Sequence, residues 1–217
     1  ISSNNGEWIG KLIEDYKYVD GEHFKERKHW LNDDYVKFLR YGQHFIEKKW
    51  MLVRNFSDEF GLSWQKSFGT NDRASVENYC RQSHIEIEWK DNNSLRTHQI
   101  RPAVEKHPIT KEMVWFNHIV FWHVSSLESQ FRERFLSEFS EADLPYNTYY
   151  GDGTPIENSV LAEIRQAYQQ ETIVFPWQKG DILMLDNMLI AHGRNSYSGP
   201  RTVLTAMGEP FTRNLDS

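Results

Sequence analysis

Phe175 to Met207 reads FPWQKGDILMLDNMLIAHGRNSYSGPRTVLTAM, and two short apolar runs within it decide the fold class. Ile182-Leu183-Met184-Leu185 follows Gly180-Asp181 and reads as a buried strand. Arg201 to Met207, opened by Gly199-Pro200, reads as a second one. His192 and Arg201 sit beside these strands, linked by a loop rich in Gly, Asn, Ser and Pro. A neutral imidazole is the commonest protein ligand for a divalent transition metal, and a guanidinium fork is the best partner for a carboxylate. The pair therefore suggests a metal and an anionic small molecule held side by side. A lone His between apolar residues also fits a plainer role as a hydrogen-bonded structural residue.

Working outward, 217 residues suffice for one sizeable core, and no Ser/Gly/Pro-rich linker divides the chain, so residues 1–217 read as a single domain. Aromatic content of 14% beside a mean hydropathy of −0.70 suits a globular β-rich enzyme better than a disordered or membrane chain. No apolar run approaches the roughly 20 residues that span a bilayer, and no secretory segment is recognised. Cys80 is the only cysteine, which excludes an internal disulfide framework and a cysteine-based zinc site and makes a reducing cytoplasm the expected setting. A net charge of −6 argues against a general nucleic-acid surface, and the mixed runs Lys25-Glu26-Arg27-Lys28 and Glu47-Lys48-Lys49 read as solvated faces.

Along the chain, residues 7 to 18 place Trp8, Ile9, Leu12, Ile13 and Tyr16 at helical spacing, and Asp33 to Lys48 repeats the pattern through Val36, Leu39 and Phe45. The charged segment Asp20 to His29 lies between them. Lys49 to Phe56 reads as a strong strand, and Asn71 or Asp72 caps a short helix through Val76, Tyr79 and Cys80. His84 to Lys90 alternates Ile85, Ile87 and Trp89 against Glu86 and Glu88, the pattern of a half-exposed strand. Asp91-Asn92-Asn93 then turns the chain, so that Leu95 to Arg101 returns as a hairpin partner, with a further strand at Met113 to Asn117.

Leu127, Phe131, Phe135 and Phe139 stand four apart and read as core packing. Thr154-Pro155-Ile156-Glu157 has the form of a capping box ahead of a helix through Val160, Leu161, Ile164 and Tyr168, and Thr172 to Phe175 returns to strand. Short strands with helices inserted between them argue for an antiparallel barrel or double-sheet jelly roll over a doubly wound parallel fold. No glycine-rich turn joins a strand to a helix, and Tyr150-Gly151-Asp152-Gly153-Thr154 lacks the Lys of a phosphate loop.

The ordered string Trp177-x-x-Gly180-Asp181, Asp186-Asn187, His192-Gly193-Arg194 and Gly199-x-Arg201 resembles the C-terminal signature of the taurine dioxygenase-like iron(II)/2-oxoglutarate oxygenases. Trp50 to Phe56, Gly61-Leu62-Ser63-Trp64-Gln65, Leu95-Arg96-Thr97, His107-Pro108, Val114-Trp115-Phe116-Asn117, Leu144-Pro145, Tyr149 to Gly153 and Glu171-Thr172 extend the likeness over roughly residues 45 to 208. They resemble a subgroup found with nonribosomal peptide pathways. The resemblance implies a β-rich α+β protein with a jelly-roll (double-stranded β-helix) core and helical insertions. It also implies iron(II) and 2-oxoglutarate as cofactors, and oxidation, chiefly hydroxylation, of an amino acid or carrier-bound aminoacyl group. His192 would be the distal metal ligand, Arg201 would grip the far carboxylate of 2-oxoglutarate, and Asp186-Asn187 would shape the strand end that aims His192. Arg194 and the loop around Tyr197 would line the substrate entrance, while Asn117 and Trp115 would face the pocket or pack in the core.

The family's other two ligands form a His-x-Asp or His-x-Glu pair upstream of the segment matched by Trp50, accompanied by Gly-Gly-Glu-Thr. Residues 1 to 45 contain neither. His23, His29 and His44 are followed two positions on by Lys25, Leu31 and Ile46. His84-Ile85-Glu86 is the only literal match, and strand alternation would put both side chains on one face. It lies in a segment that family members possess in addition to their ligand pair, so an exposed strand face is its preferred reading. The chain is then a fragment with an incomplete N-terminal side, an enzyme with unusual ligands, or a catalytically silent jelly-roll binding domain.

Overall fold

The computed structural model describes residues 43–58, 61–91, 93–200 and 202–211, together with the backbone of residues 7–10. In chain order the strands are β1 (Glu7–Gly10), β2 (Trp50–Phe56), β3 (Glu86–Trp89), β4 (Leu95–Arg101), β5 (Val104–Lys106), β6 (Met113–Trp115), β7 (Tyr146–Tyr150), β8 (Ile173–Pro176) and β9 (His192–Arg194). The helices are α1 (43–48), α2 (Trp64–Phe68), α3 (Arg73–Gln82), α4 (Ile119–Trp122), α5 (Ser129–Glu138) and α6 (Asn158–Gln170). Short 3-10 turns occupy Val124–Ser126 and Glu141–Asp143.

The elements fall into two compact units, neither of them a contiguous piece of chain. One holds Glu26–Val104 and Phe116–Ala167; the other holds Ile1–Lys25, Glu105–Trp115 and Tyr168–Ser217. In the first, β2 is central to a four-stranded antiparallel sheet of order β3-β4-β2-β7. Its register runs from Trp50 opposite Arg101 to Phe56 opposite Leu95, and from Trp50 opposite Tyr150 to Arg54 opposite Tyr146. Trp50, Leu52, Val53 and Phe56 are buried, so β2 is covered on more than one face, as its nearly continuous apolar run requires.

Phe56, Trp64, Val76, Cys80 and Leu95 form the core of this unit, with Phe68, Ile85, Ile87 and Trp89 packed around them. Each such side chain contributes about 1.5–3 kcal/mol on burial. Asp72 caps α3 by accepting from the Ala74 and Ser75 backbone N–H groups at 3.3 and 3.0 Å, which aims Val76 and Cys80 at that core. The hairpin forms as the alternation dictates: β3 exposes Glu86 and Glu88, half-buries Ile87 and Trp89, and turns through Asn93, at φ 61°, into β4.

In the second unit β1 lies between β8 and β9, antiparallel to both, with Trp8 opposite Phe175 on one side and opposite Arg194 on the other. The strands β5 and β6 pair with each other. The sheets are antiparallel with helices between strands, as the sequence implied.

Several local expectations are corrected. Residues 7–10 are strand, not the start of a helix, because β1 satisfies its backbone groups on two neighbouring strands; residues 11–18 lie outside the described ones. Of the expected helix over 33–48, residues 43–48 are described and helical, and the charged segment 20–29 lies outside. Ile182 to Leu185 does not form a strand, nor do residues 202–207. Ile182 and Met184 are 94% and 91% exposed, and Leu204 and Met207 are 91% and 94% exposed. Hydrophobic pattern alone does not make a strand without a ladder partner, and both neighbours of β1 are already β8 and β9. The phenylalanine stripe does not enter a core either: α5 has no buried residue and Phe131 is exposed. The Thr154 box is displaced, since α6 starts at Asn158 and the Thr154 hydroxyl donates to Asp152 Oδ1 at 2.5 Å instead of capping the helix.

Candidate functional site

The stretch that carries the sequence signature is built from two turns and a short strand. Gln178 N donates to Asp181 Oδ2 at 2.7 Å and Asp181 N donates back to Gln178 O at 3.1 Å, with Gly180 at φ 98° where a Cβ would be strained. Asp186 organises the second turn. Its backbone oxygen accepts from Leu189 N and Ile190 N, and its Oδ1 accepts from Met188 N at 3.0 Å. Met188 and Ile190 are buried, which seats the turn immediately before β9.

A residue that the sequence reading left without a role locks this turn. His107, 3% exposed, places Nε2 2.9 Å from Asp186 Oδ2. Its Nδ1 accepts from Thr110 N at 3.0 Å and Ile109 N at 3.3 Å, so Nδ1 carries no proton and Nε2–H donates to the carboxylate. The His107–Thr110 turn therefore fixes the tautomer, and the tautomer fixes Asp186. The only local signal for it is the His107-Pro108-x-Thr110 turn; its partner lies 79 positions away.

His192 opens β9, opposite Gly10 of β1, and is exposed. Arg194, on the same strand, lies 5.3 Å from the centre of the Tyr197 ring, a cation–π pair. Asn195 is buried, and its Oδ1 has no partner among the described residues. Arg201 lies outside the described residues. Asn117 is a structural residue: Nδ2 donates to Ala103 O at 2.8 Å and Oδ1 accepts from Ile119 N at 3.0 Å. Trp115 is half-buried at the end of β6.

His84 is not on a strand. It sits in the turn after α3 at φ 51°, so the alternation that would have aligned it with Glu86 does not reach it, and both side chains are exposed. Among the described residues no three His, Cys, Asp or Glu side chains converge as a metal site. An iron centre of the facial-triad kind needs three such ligands on one face. The described residues offer His192 alone and do not by themselves fit the metal.

A family model described as taurine catabolism dioxygenase TauD, TfdA family matches residues 22–207. The dapdiamide synthesis protein DdaC of Enterobacter agglomerans is 39% identical over 166 residues, covering 76% of this chain and 50% of its own length. A clavaminate synthase-like protein of Arabidopsis thaliana is 25% identical over 152 residues, covering 70% of this chain and 43% of its own. The chain thus spans about half the length of the curated relatives it matches.

Proposed function

Because the chain belongs to the TauD/TfdA dioxygenase family, we propose that it serves an iron(II)- and 2-oxoglutarate-dependent oxygenase with a jelly-roll core that oxidises an amino acid or carrier-bound aminoacyl group. In this reading His192 is one metal ligand and Arg201 holds the far carboxylate of 2-oxoglutarate through its guanidinium fork. The observation that carries it is the locked turn: Asp186, fixed by His107, ends six residues before His192, so the strand bearing the imidazole starts from a rigid base. The substrate class is supported by the likeness to a dapdiamide synthesis protein. The bound metal would supply the redox chemistry; the chain's own residues would supply anion binding and placement.

A reducing compartment such as the cytoplasm suits the one cysteine, Cys80, whose thiol is buried and pushed up by that burial, away from reactivity. No described helix is long and apolar enough to cross a membrane.

A second reading is suggested by the donor set of the described residues, which offers no three convergent ligands: a catalytically silent domain that retains an anion site. Anaerobic titration with iron(II) and 2-oxoglutarate separates the two. The oxygenase develops a weak visible charge-transfer band that His192→Ala abolishes, whereas the silent domain stays colourless while still binding 2-oxoglutarate. Arg201→Lys keeps the charge, loses the fork and weakens 2-oxoglutarate by about 1.5–3 kcal/mol. Equal affinity would place the anion elsewhere.

A further inference from the structure

The central strand β2 carries a guanidinium that its surroundings leave without a counter-charge. Arg54 lies opposite Thr97 of β4 and Tyr146 of β7, and paired positions share a face of the sheet, so its side chain stands on the face of Phe56, Leu95 and Tyr146. There it is stacked rather than bonded. Its guanidinium carbon lies 4.6 Å from the centre of the Phe56 ring and 5.9 Å from the Trp122 ring of α4, and the Trp122 and Tyr146 rings meet edge to face at 4.9 Å. The helix α4 packs across β7 and β2, which brings these groups together within one unit.

Three donor groups border this cluster: the N–H groups of Arg54, Trp122 Nε1–H and the Tyr146 hydroxyl. None makes a hydrogen bond or ion pair with a described residue, and none is sealed from solvent while unpaired, so all three open on solvent. The aromatic contacts hold the guanidinium in place without using its N–H donors.

The carboxylates of the sheet are turned away. Glu86, Glu88, Arg96 and His98 alternate onto the opposite face, where Arg96 reaches Asp143 at 2.8 Å and Glu88 at 3.7 Å. On the face of Arg54 the other charged strand residue is Arg101, which donates to Gln99 Oε1. The helix α3 brings Glu77 and Arg73 to this face, and both are held at Trp89: Glu77 Oε1 accepts from its Nε1 at 2.9 Å, and the Arg73 guanidinium lies 4.4 Å from its ring. Two histidines flank α4. His118 is exposed, with its ring 6.2 Å from Phe121; His123 is buried, and its Nδ1 accepts from Ser125 N at 3.1 Å and from Ser125 Oγ at 2.6 Å. Asp58, past the end of β2, is exposed and forms no ion pair with a described residue. Burial lowers the Arg54 pKa, and no neighbouring carboxylate raises it.

We propose that Arg54, Trp122 and Tyr146 form a binding site for the carboxylate of a small organic acid with an apolar body. One guanidinium presents two parallel N–H donors to a carboxylate and matches its single charge, whereas a phosphate of about −1.5 to −2 would remain in excess. Phe121, 66% exposed and 4.9 Å from the Trp122 ring, supplies the surface on which the apolar body rests.

The site lies within the unit that holds β2, so its test does not depend on the roles given to His192 and Arg201. 3-Phenylpropionate, its neutral amide 3-phenylpropanamide, acetate and inorganic phosphate are each titrated into the whole chain by calorimetry, and 3-phenylpropionate into Arg54→Gln and Tyr146→Phe. 3-Phenylpropionate is expected to bind best of the four. Its affinity should fall about tenfold or more in Arg54→Gln, the loss of a charge-assisted contact, and about threefold or more in Tyr146→Phe, the loss of a neutral one. Tyr146→Phe removes no hydrogen bond of the fold and keeps the ring packed on Trp122, so it reports on binding even where Arg54→Gln does not fold. Absence of 3-phenylpropionate binding by the unaltered chain, or unchanged affinity in either variant, overturns the site. The amide or phosphate binding as tightly as 3-phenylpropionate overturns its carboxylate chemistry, and acetate doing so overturns the apolar contact.

Discussion

His107 donates from Nε2 to Asp186 Oδ2 at 2.9 Å while its Nδ1 accepts two backbone N–H groups, so the ring is held in one tautomer by one turn and used by another. Asp186 spends its second oxygen on Met188 N. Both carboxylate oxygens are thus committed, and the arrangement has no slack.

This makes Asp186→Asn informative. The amide has one oxygen, which can serve Met188 N or the His107 Nε2–H but not both, and its NH2 would meet a donor because the tautomer cannot flip. Asp186→Asn and His107→Ala are each expected to cost about 1.5–3 kcal/mol in urea unfolding. The double variant His107→Ala/Asp186→Asn should cost less than the sum, since the partners are coupled. Strict additivity would show that the contact contributes nothing.

His123 gives a pH dependence. Burial first, and the charge of Arg165 second, lower its pKa from the ordinary 6.5 to about 4. The unfolded chain therefore binds a proton between those values that the folded chain does not. Stability present above pH 6.5 is lost as pH falls towards 4, by at most about 3 kcal/mol. His123→Asn retains an acceptor for Ser125 but does not titrate, so its melting temperature should fall less than that of the unaltered chain between pH 7 and 4.5. Parallel curves would refute the assignment.

Leu95, fully buried in the core of the first unit, and Leu204, 91% exposed, make a matched comparison. Leu95→Ala is expected to cost about 2–5 kcal/mol and Leu204→Ala less than about 0.5. A large effect at Leu204, measured by the urea midpoint, would mean that residues 202–207 pack as a strand after all.

Gly151 is needed for space. A Cβ there would lie 2.2 Å from the Lys48 backbone oxygen and 3.3 Å from Ile100 Cγ2. The first neighbour is backbone and cannot swing aside, so Gly151→Ala should cost about 1–3 kcal/mol in thermal or urea unfolding. An unchanged midpoint would mean that the Lys48–Lys49 segment moves freely.

The legible parts of this fold are those whose information is local. Asp72 announces a helix cap, and the alternation from Ile85 to Trp89 ahead of Asp91 announces a hairpin, because cap and turn chemistry act over a few residues. Trp8 and Ile9 fit helical spacing as well as a strand, and what decided between them were partners in residues 173–176 and 192–194. Ile182 and Met184 have the composition of a strand but no ladder among the described residues. At the candidate site, His192 stood out by its neighbours in sequence, whereas His107 did not, because its meaning lies in a carboxylate 79 positions on. His84 misled because a positive φ, invisible in composition, takes it out of the strand.

The pairing of Glu7 with Pro176 has a consequence for biosynthesis. At the usual ribosomal pace of about 5–20 residues per second, β1 leaves the tunnel roughly 10–30 s before β8 exists to receive it. During that interval nascent β1 is an open template for other chains, while the hairpin at 86–101 can already close on neighbours only a few residues away. The three-stranded sheet is therefore the last to form, and the stage at which a chaperone has most to protect.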